Sequence, residues 1–309
     1  MKLSNLISAR NILVEQRSRD ACEASLKNIL NIYDVMRSLP ISHKDVIPEL
    51  EQVSKSLIAF HEAIADQINQ YNVMIKEREA EYFAASTRLY SEEMCYESTE
   101  YILNRKLPVN DEIKKFIKTR LNRLVHSFYP GAIIRPAREE FVKDMVGYSP
   151  LYVLDQNMDL LAPSIENFNE AYQNRLCAYT FKESTDQPML DSLPDNQFGA
   201  FFIYGYFNFR PIEIVQAFLK EIYQKLKPGG FVAFTYNDCN FMHGILSTEK
   251  SYTCYMNGDH IRQYARYLGF EVLYEFHNDG IDWLELKKPG ELQSMRGGQC
   301  YARISRHAD

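Results

Sequence analysis

From the start to about Leu103, apolar positions recur at helical spacing, glycine is scarce, and Glu, Gln, Asn, Ser and Ala fill the intervals. Cys22, Leu26, Ile29, Tyr33 and Met36 follow one another at steps of 4, 3, 4 and 3. The break at Leu39-Pro40, with Ser42 as a new cap, predicts a helical hairpin. The second helix opens near Pro48. Its row Val53, Leu57, Phe60 is repeated 11 positions later by Ile64, Ile68 and Tyr71, and Ile75 and Tyr82 continue it. An 11-residue period is about 3.67 residues per turn, which predicts a nearly straight or slightly right-handed supercoil. Two outcomes stay open: the stripe packs within its own domain, or it self-associates as a bundle or coiled coil.

Leu107-Pro108 marks a boundary that divides the chain into a helical arm, 1–106, and a second domain, 107–309. Asn110 or Asp111 caps a shorter helix whose apolar face is Ile113, Phe116, Ile117, Leu121, Leu124 and Val125. Beyond Gly131 the period changes to short β-branched and aromatic runs alternating with helical segments, the pattern of βαβ units and a parallel sheet. Strands are expected at Ala132–Ile134, Leu151–Leu154, Arg175–Tyr179, Ala200–Tyr204, Gly230–Tyr236, Glu271–Phe276 and Trp283–Leu286, with a further signal at Gln299–Ile304. Pro211 suits the first turn of a helix carrying Ile214, Val215, Phe218, Leu219, Ile222 and Leu226 on one face. Lys227-Pro228-Gly229-Gly230 ends it, and Gly258–Gly269 makes another helix.

The 309 residues are 46% hydrophobic, enough for a substantial core. A net charge of -6 disfavours a protein that blankets nucleic-acid phosphates. No apolar run approaches the length of a membrane span, and the N-terminal stretch lacks the pattern of a cleaved leader, so a soluble, cytoplasmic protein is expected. The six cysteines contain no C-x-x-C pair, which suits isolated reduced thiols in a reducing compartment.

Four segments of the second half resemble the class I S-adenosylmethionine methyltransferases. They are Leu226-Lys227-Pro228-Gly229-Gly230-Phe231, Leu193-Pro194-Asp195-Asn196-Gln197-Phe198, Leu268-Gly269-Phe270-Glu271-Val272 and Leu151-Tyr152-Val153-Leu154-Asp155. The resemblance spans roughly 128–304 and implies an α/β, Rossmann-like methyltransferase fold with a seven-stranded, mostly parallel sheet behind a long-helix arm. It also implies that Asp155, closing the second strand 18 positions after Ala137, accepts hydrogen bonds from the cofactor ribose, with Gln156, Pro136 and Thr180 beside it. A helix cap or turn is the alternative for Asp155.

Against the family loop L-E-I-G-P-G-x-G-E-F, this chain reads A-I-I-R-P-A-R-E-E-F from Ala132 to Phe141. Pro136, Glu140 and Phe141 match, while Arg135, Ala137 and Glu139 stand where the family has glycines. Those glycines let backbone approach the cofactor without a Cβ, and a side chain there occupies its volume. Gly199 replaces the usual Asp after Phe198, and Thr180-Phe181-Lys182-Glu183 lacks the Asp that family members offer to adenine. Arg135 and Arg138 could receive an acidic group or pair with Glu139, Glu140 or Asp155.

Methyl transfer requires chiefly an acceptor held in line, and the resemblance places acceptor-side candidates at Asn208, Tyr236, Asn237 and Asp238. Neither N-P-P-Y nor a Pro-Cys nucleophile is present, which argues against base methylation. His243, His260 and His277 lie on separate segments without metal-ligand spacing, so local hydrogen bonding and no metal are expected. Ser294–Gln299 is a surface contact loop or a turn. Two readings follow. One is a non-catalytic structural or assembly protein, oligomeric through its arm, whose style also resembles tailed-bacteriophage proteins and so virion components. The other is an active S-adenosylmethionine-dependent enzyme acting on a small molecule or protein.

Overall fold

A computed structural model describes residues 1–18, 27–32, 34–35, 38, 46–93, 111–124, 129–135, 139–166, 168–250, 253–278 and 281–292. The chain divides into two compact units, Met1–Tyr82 and Phe83–Asp309.

The first unit holds helix α1 (Leu3–Ser18) and most of α2 (Val46–Glu93), a single helix of 48 residues. Leu3 and Leu6 of α1 are buried, as are Ile64, Ile68 and Ile75 of α2. The second repeat of the apolar row is thus the one that packs, while Val53 and Phe60 of the first repeat remain exposed. In the expected first helix only Ile29, within a helical stretch at 27–32, is described; the rest of that row and the Leu39-Pro40-Ser42 break lie outside the described residues.

The second unit carries α3 (Asp111–Leu124), whose acidic first turn favours the helix dipole, and a seven-stranded sheet. Its strands are β1 (Gly131–Ile134), β2 (Leu151–Asp155), β3 (Leu176–Thr180), β4 (Phe198–Ile203), β5 (Leu226–Tyr236), β6 (Glu271–Asn278) and β7 (Ile281–Lys287), in the order β3-β2-β1-β4-β5-β7-β6. Only β7 runs antiparallel to its neighbours. This is a doubly wound, Rossmann-like fold with its topological switch point between β1 and β4.

Strand residues alternate between two buried layers. Ala132, Ile134, Phe201, Ile203, Val232 and Phe234 face one of them, whereas Ile133, Ala200, Phe202 and Ala233 face the other. Both faces are apolar because helices cover both, which is why these strands read as near-continuous hydrophobic runs. The helices are α4 (Glu139–Asp144), α5 (Met158–Glu166), α6 (Glu170–Gln173), α7 (Ile212–Lys225), α8 (Met242–Glu249) and α9 (Gly258–Leu268). Helix α9 is bounded as its sequence dictates: the Asn257 side chain caps Asp259 and His260, and Gly269 closes it at φ 98°.

Strand β5 starts at Leu226 rather than Gly230. The Pro228-Gly229 turn stays paired, with Gly229 at φ 82° and its amide donating to Lys288 O at 2.9 Å. Among the described residues the sheet has seven strands; Gln299–Ile304 lies outside them, as does Ser294–Gln299. Gly199 has a packing reason: a Cβ there would come within 2.9 Å of Tyr129 Cβ, so no Asp fits after Phe198.

Candidate functional site: the carboxyl edge of the sheet

Ligands of doubly wound sheets bind outside the carboxyl ends of the strands at the switch point. Here that place begins with Arg135, directly after β1. Its amide donates to Leu154 O at 2.7 Å, and its φ is 52°. A left-handed backbone suits glycine and costs another residue roughly 1–2 kcal/mol. Arg135 thus combines a backbone conformation suited to glycine with a long side chain. That side chain turns inward: Arg135 Nε and Nη2 lie 3.3 and 3.4 Å from the two oxygens of Asp155, and Nη2 lies 3.4 Å from Gln156 Oε1.

Asp155 closes β2, where the resemblance puts the ribose acceptor. Its Oδ1 already accepts from Gln156 N at 2.6 Å and Asn157 N at 3.3 Å. It is 1% exposed and Arg135 8%. Burial pushes the Asp155 carboxyl above the usual carboxylate range, opposed by Arg135 and the two backbone donors. No ligand hydroxyl can reach either oxygen unless Arg135 leaves. The cofactor that the fold family implies therefore does not fit the residues as they stand.

The charges continue across the edge. Arg135 lies over the Tyr206 ring, 4.9 Å from its centroid, and Arg210 lies 4.5 Å from the same ring. The Tyr206 hydroxyl donates to Glu183, which also accepts from Arg210 Nε at 2.6 Å. Ends of β1, β2, β3 and β4 are thus joined by two guanidiniums, two carboxylates and one ring. Thr180, the other cofactor-side candidate described, is exposed at the end of β3. Pro136, Ala137 and Arg138 lie outside the described residues. Phe141, the loop's matching aromatic, is core, with its ring 4.7 Å from Tyr204.

The acceptor-side candidates come together, but as a buried lattice. Asn208 Nδ2 donates to Tyr236 O at 2.7 Å, and the Tyr236 hydroxyl donates to Asp238 Oδ2 at 3.1 Å. Burial, then the Asp238 charge, raises the Tyr236 pKa above its ordinary value. Asn237 Nδ2 reaches Thr248 Oγ1 and Cys254 O, both at 3.1 Å. Asp238 Oδ1 accepts from the amides of Asn240 and Gly258. Phe207, in the short 3-10 turn Phe207–Phe209, packs on Phe218 and Phe234, and Phe209 joins the opposite layer. Both rings belong to the core.

Spacing along the chain did not reveal the meeting of His243 and His277 on Asp282. His243 Nε2 lies 3.0 Å from Asp282 Oδ1 and His277 Nδ1 lies 2.8 Å from it, while Asp282 Oδ2 accepts from Asp238 N. The one usable signal is the β6–β7 hairpin register, which sets His277 opposite Asp282. His260 stacks instead on Phe83, at 6.0 Å. Among the described residues no group of His, Cys, Asp and Glu could hold a metal ion, Cys177, Cys239 and Cys254 are free thiols, and no helix is long and apolar enough to cross a membrane. Burial pushes the Cys239 thiol up to about 12.

No protein-family model and no curated protein sequence matches the chain. Among solved structures it is similar to an S-adenosylmethionine-dependent methyltransferase from Mesorhizobium loti, at 10% identity and a TM-score of 0.46 over 59% of this chain and 100% of that one. It is also similar to one from Archaeoglobus fulgidus, at 14% identity and a TM-score of 0.45 over 62% of this chain and 100% of that one. At such values they describe an outline; the fold rests on the strand order given above.

Proposed function

We propose that this protein is a methyltransferase-like module working without the cofactor, as a structural or assembly component borne on a helical arm. The observation that carries the reading is Arg135: its guanidinium lies on the buried carboxylate that would otherwise receive the ribose hydroxyls. The arm, taken as 1–106 with the domain at 107–309, joins copies of the chain or a larger protein particle. The exposed Val53 and Phe60 on the long α2 support that role. A virion component in the reducing cytoplasm of an infected cell is the setting that the sequence resemblance suggests.

Isothermal titration calorimetry on the full chain tests the reading. Neither S-adenosylmethionine nor its demethylated product should give measurable heat at millimolar concentration. Micromolar affinity that disappears in Asp155→Ala would overturn it in favour of an active methyltransferase. Light scattering on the same preparation should give a mass above that of a single chain, and a clean monomer would remove self-association through the arm.

A further inference from the structure

Two of the side chains around the Arg135 guanidinium, Asp155 and Tyr206, are held in place by contacts that do not involve Arg135, whereas Gln156 Oε1 meets Arg135 itself and its Nε2 is buried without a hydrogen-bond partner among the described residues. Asp155 is oriented by the amides of Gln156 and Asn157. The Tyr206 ring is held by its hydroxyl bond to Glu183 and by near-perpendicular contacts with Phe181 and Phe218, at 87° and 89°. Together they offer a carboxylate with both oxygens presented to one planar cation, an amide oxygen beside it, and an aromatic face. Those are the three contacts that a guanidinium takes and a compact ammonium cannot take at once.

We propose that Asp155 and the face of Tyr206 form a preorganised guanidinium-binding box, which Gln156 Oε1 completes when a cation is present, and whose resident occupant is the chain's own Arg135. The inference rests on the reading that the nucleoside cofactor is not the ligand here, and it names what has taken its place. The site's ligand class is a planar guanidinium, from an arginine side chain or a small guanidino compound. Because Asp155 and Tyr206 stand without Arg135, removing that side chain leaves a vacant box and a buried Asp155 whose charge only the two backbone amides offset, rather than a collapsed core.

Thermal unfolding of the full chain with and without millimolar methylguanidinium is the test. Arg135→Ala should melt about 6 °C or more below wild type. Methylguanidinium should restore at least half of that loss, while equal methylammonium restores little. Wild type and the Arg135→Ala/Asp155→Asn double variant should not respond to either. Equal responses in all three proteins, no response in Arg135→Ala, or an Arg135→Ala melting point equal to wild type would each overturn the proposal. Should Arg135→Ala be insoluble, its expression is repeated in medium containing each cation. Soluble protein with methylguanidinium alone supports the box, and none with either cation refutes it. These readouts use no nucleoside, so nucleoside binding by wild type would sink the proposed function without deciding this result.

Discussion

Arg120→Ala is expected to lower the stability of the second unit by about 3–5 kcal/mol. Glu285 stands in β7 with 0% exposure, in the layer shared with Ile113, Ile117 and Trp283. Both its oxygens meet the Arg120 fork, Nε at 2.8 Å and Nη2 closer still, and Trp283 Nε1 donates to Oε1 at 2.9 Å. Removing the fork leaves a carboxylate in an apolar layer with the indole as its donor among the described residues, and burying such a charge unpaired costs far more than the pair contributes. The Arg120 guanidinium also covers the Tyr274 ring at 4.1 Å, so the alanine loses packing as well. Arg120→Met combined with Glu285→Leu should cost much less than Arg120→Ala alone, because the desolvation penalty leaves with the charges. Urea unfolding of the three proteins measures this. An Arg120→Ala value within about 1 kcal/mol of wild type would show that water reaches Glu285 and would sink the account.

Gly258→Ala is expected to cost about 3 kcal/mol or more, although alanine is ordinarily the better helix former. Gly258 opens α9 against Asp238, and a Cβ would sit 1.9 Å from Asp238 Oδ2. The carboxylate would have to move. It accepts from Gly258 N at 3.0 Å and Asn240 N at 2.9 Å through one oxygen, and from the Tyr236 hydroxyl and Arg262 Nη1 through the other. Hydrogen bonds to a buried charge are worth about 1.5–3 kcal/mol each, so displacing even one outweighs the helix-propensity gain. Adding Asp238→Ser removes the clashing oxygens, and the double variant should lose less than the two single losses together. A Gly258→Ala melting curve that overlays wild type would refute the clash.

The elements of the second unit were legible because their signals are local. Short β-branched and aromatic runs gave the strands, and Pro211 and Gly269 marked helix ends through their own backbone preferences. Glu285 could be read only as a polar residue between Leu284 and Leu286; nothing nearby names Arg120, 165 positions earlier, as its partner. His243 and His277 meet because the turn after β5 and the β6–β7 hairpin end at the same edge, a consequence of strand order. Asn208, Tyr236, Asn237 and Asp238 were placed at the right edge by the pattern, yet whether they face solvent or one another depends on the segment at 253–257, whose Cys254 bonds both Asn208 and Asn237.

By itself the sequence determined the alternation of strands and helices that makes a parallel α/β sheet, the approximate ends of the strands, and the bounds of α7 and α9. Each of these follows from side-chain period or from the φ range that a residue tolerates, and both act within a few residues. Only the tertiary structure decided where the Arg135 guanidinium goes. A flexible cationic side chain can reach several carboxylates, and parallel pairing of β1 with β2, Ile134 beside Leu154, is what sets the buried Asp155 within its reach.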